Sequence, residues 1–454
     1  MVNIRVKDIL LATGGRLLSG KEETILTHIS IDSRTMKGND LFVPIIGEKV
    51  DAHNFIDQAL EQGAVAVLTS QHDASDSQKA FIRVADTKKA LQAIGSYYRR
   101  LLNLPLIGIT GSVGKTTTRE MISCALSAGY RVYKTPGNSN SQVGVPIALS
   151  EITPEDEIGV IELGMSEPGE LTVITKIANI QMAVVTNVGI THIEQLGSRE
   201  NIYKEKLTIQ DGLSEGGTLF LNGDDDLLKN TKAKKGCRTI YYGTGSHCEY
   251  RAENVHLEEG FPVFTAVHGE HKVPVRLSVM GSHNVLNAMV SLAVAVECKI
   301  PMEKAADALR TFTGFKNRQQ IYETYDLTVI DDTYNASPVS MKAGLEVLNS
   351  MKKANRRIAV LADMKELGEG AFSYHYEIGE YIAEHPVYEV VTLGELAGEI
   401  ARAVKELAPH IRVKEFMEQS LLLSYLKDEL QKGDCVLFKG SNSMKLGQIA
   451  DQFH

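Results

Sequence analysis

Short apolar runs alternate with longer amphipathic segments along most of this chain, a pattern that predicts strands followed by helices in an α/β fold. Over the first hundred residues it predicts four strands and two helices, with the strands at Thr27–Ile31, Asp40–Ile46, Ala64–Leu68 and Phe81–Val84 and the helices at Asn54–Gln62 and Thr87–Leu102. Asn103-Leu104-Pro105 then has the composition of a linker. We therefore predict a small α/β domain over residues 1–104.

A second, larger α/β region begins at Leu106. Its patterns predict strands at Glu157–Leu163, Ala183–Asn187 and Thr218–Asn222, a hydrophilic β-rich stretch at Thr239–Met280, and helices at Asn284–Cys298 and Glu303–Phe312. From Arg318 the alternation starts again, with strands at Leu327–Asp331, Arg357–Leu361, Glu389–Leu393 and Cys435–Phe438 and helices at Ser340–Met351 and Ser420–Leu430. We predict a central domain over residues 105–315 and a doubly wound, Rossmann-like domain over residues 316–454.

The composition is that of a soluble chain with several cores: 454 residues, of which 43% are hydrophobic. A formal net charge of −9 without a Lys/Arg cluster argues against a nucleic-acid partner. The five cysteines are scattered and form no C-x-x-C pair, so we expect neither a disulfide framework nor a zinc cage. The first residues lack a signal-peptide core, and no apolar stretch is long enough to cross a bilayer. We therefore expect a cytoplasmic protein with no membrane span.

The segment Leu106–Thr118, LIGITGSVGKTTT, has the features of a phosphate-binding loop between a strand and a helix. Its glycines let backbone N–H groups approach anionic oxygens, Lys115 supplies a positive charge for the β- and γ-phosphates, and the Thr116 hydroxyl can ligate Mg²⁺. The spacing differs from the common motif, because the glycines stand at 108 and 111 and position 109 is isoleucine. We predict that ATP binds the loop Gly111, Ser112, Val113, Gly114, Lys115, Thr116 and Thr117.

Two further polar residues follow predicted strands of the same region. Glu162 ends the run Ile158–Glu162, and a carboxylate there would bind Mg²⁺ opposite the loop. His192 follows the next strand and can ligate a metal through a neutral imidazole nitrogen. Considered alone, each has an ordinary alternative: a capping or solvated glutamate, and a hydrogen-bonded loop histidine. Ligands of open α/β sheets bind at the carboxyl ends of strands, which favours the site interpretation.

Several of these segments together resemble the muramyl (Mur) ligase family of ATP-dependent amide-forming enzymes: Thr110–Thr118, Thr135–Asn140, Glu162, Asn187–His192 and Lys206. The resemblance covers nearly the whole chain, including Asp32-Ser-Arg34, Gly281-Ser-His-Asn284 and Lys439-Gly-Ser441. Within the family, Asp331–Pro338 and Val360–Gly368 are similar to the member that adds D-alanyl-D-alanine to a UDP-muramoyl-tripeptide. The substrates implied by the resemblance are therefore these two small molecules, and we expect a monomer.

The resemblance implies a mechanism in which a substrate carboxylate attacks the γ-phosphate of ATP. The acyl phosphate that forms is then attacked by the amine of the dipeptide through a tetrahedral intermediate. A carboxylate approaching a polyanion requires cations, and the candidates are Lys115, a Mg²⁺ held by Thr116 and Glu162, and a second Mg²⁺ held by His192. The implied cofactors are thus ATP and two Mg²⁺ ions.

Lys206 matches the position where the family carries a carbamylated lysine. From the sequence alone, a solvated lysine on a helix face is the better interpretation, and only the family match reverses it. Carbamylation replaces an ammonium by an anion, which beside divalent magnesium reverses the sign of the interaction. The resemblance therefore implies that Lys115, Glu162, His192 and Lys206 are catalytic, and that Thr116, Glu162, His192 and Lys206 hold metal.

The remaining site residues are implied by the resemblance alone. Further ATP contacts are expected from Asn284, Asn287, Arg318, Asp332, Tyr334 and Asn335. Contacts to the UDP-linked substrate are expected from Ser33, Arg34, Gly47, His53, Asn138 and Asn140. Asn442 stands where the family often has arginine, so we expect Lys445 to supply the missing positive charge.

Two alternatives remain open from the sequence. One is another ATP-dependent amide ligase, either a different Mur-type enzyme or one similar to folylpolyglutamate synthetase. The other is a regulatory nucleotide-binding switch, which would hydrolyse the nucleotide slowly without an amine substrate. The separate N- and C-terminal α/β regions and the three metal-suited residues argue against the switch.

Overall fold

The computed structural model describes residues 1–454, and its first part is a small α/β unit. Five strands form its main sheet in the order Arg16–Ser19, Ala80–Arg83, Ala64–Thr69, Asp40–Phe42 and His28–Ser30, antiparallel only at the first pair. A separate antiparallel pair joins Ile4–Arg5 to Ile25–Leu26. The helices are Val6–Thr13, Ile56–Glu61 and Thr87–Leu101, with a 3₁₀ turn at Ala52–Phe55.

Nine strands form the central sheet, which has a parallel body and an antiparallel extension. Their order is His271–Arg276, Phe261–His268, Tyr250–Glu258, Arg238–Gly243, Leu213–Asn222, Ile180–Val185, Leu106–Thr110, Ile158–Glu162 and Val132–Lys134. Only the first three of these pair antiparallel. The helices are Lys115–Leu126, Gly144–Ser150, Glu170–Ala178, Ile193–Leu196, Arg199–Leu207, Asn284–Glu297 and Met302–Leu309, with a 3₁₀ helix at Thr208–Gly212.

The last part is a six-stranded, mostly parallel sheet covered by helices on both faces. Its strand order is Gln320–Glu323, Leu327–Asp332, Asp434–Lys439, Arg357–Ala362, Glu389–Leu393 and Arg412–Phe416, with an antiparallel pair at the first edge. Its helices are Pro338–Ser350, Ala371–Glu384, Gly398–Leu407, Gln419–Glu429 and Gly447–Ala450, with 3₁₀ turns at Gly368–Gly370 and Asn442–Met444. Apolar clusters lie on each side of this sheet.

The predicted α/β class and its parallel sheets are confirmed. The hydrophilic β-rich stretch is the antiparallel extension of the central sheet. The helix Val6–Thr13 was not predicted, and the predicted helix at 54–62 begins as a 3₁₀ turn. The limits 1–104, 105–315 and 316–454 stay predictions. No helix of the structure is both long and apolar enough to cross a membrane.

The first unit is attached to the central one by polar contacts of its last helix. The Tyr98 hydroxyl donates to the carbonyl of Ile152 over 2.9 Å. The buried Arg99 guanidinium donates to the carbonyls of Ala178 and Asn179. Because Arg99 is buried, these carbonyls replace its solvation and fix the orientation of the helix.

Candidate functional site

The glycine loop, residues 111–117, leaves the end of the central strand Leu106–Thr110 and enters the helix that begins at Lys115. Gly111 has a φ of 152° and lies so close to Thr186 that an added Cβ would be 1.9 Å from its Oγ1. The Lys115 Nζ donates to the Gly111 carbonyl over 2.8 Å. The loop therefore folds around the Lys115 side chain at the N-terminus of the helix, which is the arrangement of a phosphate-binding loop.

Gly111→Ala tests this close approach. We expect the substitution to destabilise the protein by about 2–4 kcal/mol, because it adds both a steric clash and an unfavourable φ. Gly169→Ala is the matched control, since Gly169 also has positive φ but open space around its Cβ position. The control should cost about 1 kcal/mol, the φ effect alone. Thermal unfolding compares the two, and equal losses of stability would contradict the steric argument.

Glu162 lies opposite the loop and is almost wholly buried. Strand register sets this position, because Glu162 pairs with Ile109 at the end of the neighbouring strand. The Thr116 hydroxyl donates to Glu162 Oε2 over 3.0 Å, and Asn140 Nδ2 donates to Oε1 over 2.8 Å. A hydroxyl and a carboxylate 3.0 Å apart are oxygen donors of the kind that Mg²⁺ prefers.

Arg119 is a site residue that the sequence analysis missed. Its guanidinium is buried, lies 3.3 Å from Glu162 Oε2 and pairs with Glu120 at 2.6 Å. It also donates to the carbonyl of Gly137. Arg119 therefore orients Glu162 and supports the loop that carries Asn138 and Asn140. Its helix begins with the polar run Lys115–Glu120, in which nothing in the sequence marks Arg119 as buried.

Asn187 supports the glycine loop from behind. Its side chain accepts a hydrogen bond from Val113 N over 3.0 Å and donates to the Val113 carbonyl over 2.9 Å. Its own carbonyl accepts from Ser112 N. Asn187 therefore holds the loop in place, with both ends of its side-chain amide bound to the backbone of Val113.

Lys206 is 2% exposed and lies in the last turn of the helix Arg199–Leu207. Its Nζ makes no hydrogen bond or ion pair within the chain. Burial, with a further contribution from the nearby positive charge of Lys115, places the pKa of Lys206 well below its usual range. Lys204, two residues earlier, is exposed and forms a surface pair with Glu200 at 3.7 Å. The two lysines therefore have opposite environments.

His192 lies at the border between the central and last units. Its backbone has a φ of 63°, in the left-handed region that non-glycine residues seldom adopt. Its Nδ1 lies 2.6 Å from Oε2 of Glu366, a close contact that does not have the geometry of a hydrogen bond. The adjacent His192 imidazole lowers the pKa of the Glu366 carboxyl.

A cavity of about 1430 Å³ lies between the central and last units. It brings together most of the residues that the sequence predicts for ATP and metal: Ser112, Val113, Gly114, Lys115, Thr116, Thr117, Glu162, His192, Asn284, Asn287, Arg318, Asp332, Tyr334 and Asn335. Asn140, predicted for the UDP-linked substrate, lines it as well. Lys206 and Gly111 are buried beside it without lining it. Asn442 and Lys445 also lie outside its lining.

Polar contacts cross this cavity from the last unit. Arg318 is half-buried, donates to Thr116 Oγ1 over 3.1 Å, and lies over the ring of Tyr334 at 3.6 Å from its centre. The ammonium of the buried Lys439 lies 2.6 Å from Asp332 Oδ2. A guanidinium of the last unit thus reaches the glycine loop, while an ion pair of the same unit lines the cavity.

The amides of Asn284 and Asn287 are tied to each other and to the helix of the glycine loop. Asn287 Oδ1 accepts from the Thr118 hydroxyl over 3.0 Å, and Asn287 Nδ2 donates to Asn284 Oδ1 over 2.9 Å. The neighbouring His283 is half-buried, has a buried Nδ1 without a hydrogen-bond partner, and lines the cavity. Burial lowers the pKa of His283, which keeps its imidazole neutral. His283 was quoted in a motif but not predicted as a contact.

Four of the residues predicted to hold the UDP-linked substrate, Ser33, Arg34, Gly47 and His53, lie away from this cavity in the first unit, whereas Asn138 and Asn140 belong to the central unit and Asn140 lines the cavity. Asn138 and Asp32 line a smaller groove of about 360 Å³ between the first and central units. Arg34 is exposed and pairs with Asp32 at 2.7 Å, which lowers the pKa of that carboxyl to about 2. His53 is buried with Asp51 on Nδ1 and Ser70 on Nε2. Ser33 donates to Gln58, and Gly47 lies in a turn closed by Val50.

Comparison with known proteins identifies the family. Three family models match successive parts of the chain: "Mur ligase family, catalytic domain" at residues 25–99, "Mur ligase middle domain" at 109–295 and "Mur ligase, glutamate ligase domain" at 317–442. A UDP-N-acetylmuramoyl-tripeptide–D-alanyl-D-alanine ligase of Bacillus subtilis is 37% identical, over 99% of this chain and 98% of its own. The chain belongs to the Mur ligase family.

Other Mur ligases match over similar lengths. The Haemophilus influenzae protein of the same name is 32% identical over 95% of this chain and 94% of its own. Crystal structure I of MurF from Acinetobacter baumannii has a TM-score of 0.89 and 29% identity, covering 99% of this chain and 98% of that one. MurF from Thermotoga maritima in complex with ADP has a TM-score of 0.81 and 25% identity, covering 95% and 98%. The family resemblance drawn from the sequence is thus confirmed, along with its α/β fold.

Proposed function

We propose that this Mur ligase joins D-alanyl-D-alanine to UDP-N-acetylmuramoyl-tripeptide, with conversion of ATP to ADP and phosphate, in peptidoglycan precursor synthesis. Full-length identity of 37% to a relative with this name is the observation that carries the proposal. A glycine loop facing a buried carboxylate, with cations from two units around one cavity, supports ATP as the activating substrate. Five free cysteines support action in the reducing cytoplasm, and we propose a monomer.

Charge neutralisation at the glycine loop is the first requirement of the reaction. In the proposal, Lys115 leaves the Gly111 carbonyl for the phosphates, and Arg318 adds a second positive charge from the opposite wall. Thr116 and Glu162 would hold Mg²⁺, which when bound lowers the negative charge that the substrate carboxylate meets. Lys115, Arg318 and the Mg²⁺ ion would together neutralise enough negative charge for the substrate carboxylate to approach the γ-phosphate.

The bond changes then follow in two steps. The terminal carboxylate of the tripeptide attacks the γ-phosphorus and ADP leaves, giving an acyl phosphate. The free amine of D-alanyl-D-alanine attacks the acyl carbon, loses a proton, and expels inorganic phosphate from the tetrahedral intermediate. Lys115 and Arg318 face negative charge in both steps, so one arrangement of side chains serves both.

Carbamylation of Lys206 is the second part of the proposal. A buried lysine with a lowered pKa is a neutral amine, and a neutral amine adds to CO₂ with loss of a proton. The product is an anion beside Lys115, where the unmodified lysine would be a cation or an unpaired polar group. In the proposal, this carbamate and His192 would together hold the second Mg²⁺ ion.

Phosphate release tests the proposed reaction. We expect inorganic phosphate from ATP and Mg²⁺ only when UDP-N-acetylmuramoyl-tripeptide and D-alanyl-D-alanine are both present. The omission of either substrate is the control and should leave background hydrolysis. Equal turnover with a single amino acid, or with folate and glutamate, would replace the proposal by another amide ligase. Hydrolysis without any amine would favour a nucleotide switch.

A further inference from the structure

The segment Val360–Gly368 was singled out by its sequence, yet the reaction above gives it no role. It follows the strand Arg357–Ala362 in the last unit and ends beside residues 192–196 of the central unit. The position of an added Cβ at Gly368 is 3.5 Å from the Cα of Glu194. A loop of one unit therefore lies directly against the predicted metal ligand of another.

The loop is held by backbone hydrogen bonds to buried side chains. Met364 N donates to Nε2 of the buried His375 over 2.8 Å, and Lys365 N donates to Ser441 Oγ over 2.9 Å. Ser441 N in turn donates to the carbonyl of Asp363. Glu366 is thus presented by a preorganised loop, which lowers the entropy lost when its carboxylate makes a contact.

Glu366 and His192 meet with unusual backbones on both sides. Glu366 has a φ of 64° and His192 a φ of 63°, so both adopt the left-handed region without being glycine. Conformations of this kind are unfavourable for non-glycine residues and persist where the surrounding structure enforces them. Their meeting point is the 2.6 Å contact between Glu366 Oε2 and His192 Nδ1. Two unfavourable backbone conformations at one contact indicate that the contact has a role beyond that of a surface ion pair, because such a pair adds little to stability by itself.

We infer that Glu366 is a positioning residue that holds the Nδ1 side of the His192 ring and so leaves Nε2 free to face a metal ion. A carboxylate on one nitrogen fixes the tautomer and the ring orientation for a ligand on the other. The inference rests on the proposed function, because it assigns His192 to the metal. It adds that the last unit must be docked on the central unit for His192 to be oriented.

Metal affinity is the measurement that tests this role. Binding of Mn²⁺ to the enzyme with ADP present, followed by the electron paramagnetic resonance of free Mn²⁺, should weaken about tenfold in Glu366→Ala at one site. Glu366→Asp should recover part of the loss. Glu369→Gln is the matched control, because Glu369 is exposed in the same loop without an ion pair, and it should bind as the parent does. Unchanged Mn²⁺ binding in Glu366→Ala would overturn the inference.

A double substitution separates positioning from general structural damage. If Glu366 acts through His192, Glu366→Ala should weaken Mn²⁺ binding no further in a His192→Ala background. Independent, additive losses in the two variants would also overturn the inference. These titrations use neither the tripeptide nor the dipeptide. Failure of the parent enzyme to release phosphate with both substrates would therefore remove the proposed function while the Mn²⁺ comparison still decides the role of Glu366.

Discussion

Replacing Lys206 by alanine is expected to lower kcat about a hundred- to a thousandfold, because the proposed reaction loses an anion that holds metal. Added short-chain carboxylic acids should restore part of the activity, since a small carboxylate can enter the space that the side chain leaves. Lys206 is 2% exposed and has no chain partner, so alanine leaves room beside Lys115 without breaking a hydrogen bond. The phosphate-release assay with both substrates, with and without acetate, measures the effect.

Lys204→Ala is the control for this experiment. Lys204 is on the same helix but two-thirds exposed, with only a 3.7 Å surface pair to Glu200. We expect its loss to change stability and activity little, since exposed pairs contribute about 0–1 kcal/mol. Full activity of Lys206→Ala without added acid would contradict the carbamate. A loss that no carboxylic acid relieves, together with a lowered melting temperature, would instead indicate a packing role.

Replacing Lys115 by alanine is expected to lower kcat/KM about a thousandfold, with a weaker affinity for ADP as well. The charge removed is the one placed nearest to the phosphates by the glycine loop, and in a buried site such charges act with little screening. Burial lowers the pKa of Lys115 while the adjacent Glu162 opposes that shift, so an anionic ligand would favour the ammonium further. Calorimetric titration with ADP separates the loss of binding from the loss of turnover.

Lys115→Arg is the matched variant, because it keeps the charge but changes the shape of the cation. We expect intermediate activity, since a planar guanidinium does not fit the single hydrogen bond that the lysine makes to Gly111. Equal losses in both variants would mean that the fit of the side chain matters more than its charge. Near-parental kcat/KM in Lys115→Ala would contradict the assignment of the loop.

The fold was predictable where hydrophobic periodicity carried it. The strand Glu389–Leu393 and the helix Thr87–Leu101 lie within one residue of their predicted limits. In each, the hydrophobic residues keep the spacing of one type of secondary structure from end to end. The antiparallel extension of the central sheet has no comparable pattern, since its strand Tyr250–Glu258 is largely exposed along its second half. Its partner strands are fixed by tertiary pairing, which a single sequence does not display.

The candidate site was predictable where local motifs define it, as for Lys115 and Glu162. Lys206 was predicted only through the family resemblance, because its helix is largely polar and hydrophobic periodicity predicts a solvated lysine there. Tertiary packing buries it. Arg119 and Glu366 were missed for a related reason. Each acts by pairing with a residue distant in sequence, at 43 positions for Arg119 and Glu162. Such pairs appear only once the chain has folded.

The glycine loop is already satisfied by the chain itself, and this bears on how fast a product can leave. Thr116 donates to Glu162, and Lys115 donates to Gly111. At these two side chains nucleotide binding is therefore an exchange of partners, in which a new contact to the nucleotide or its metal replaces an internal one. When ADP departs, the side chains of Lys115 and Thr116 donate again to Gly111 and Glu162, so the buried ammonium is not left without a hydrogen-bond acceptor. Affinity for the spent nucleotide is moderated in this way, and the loop is reset for the next turnover.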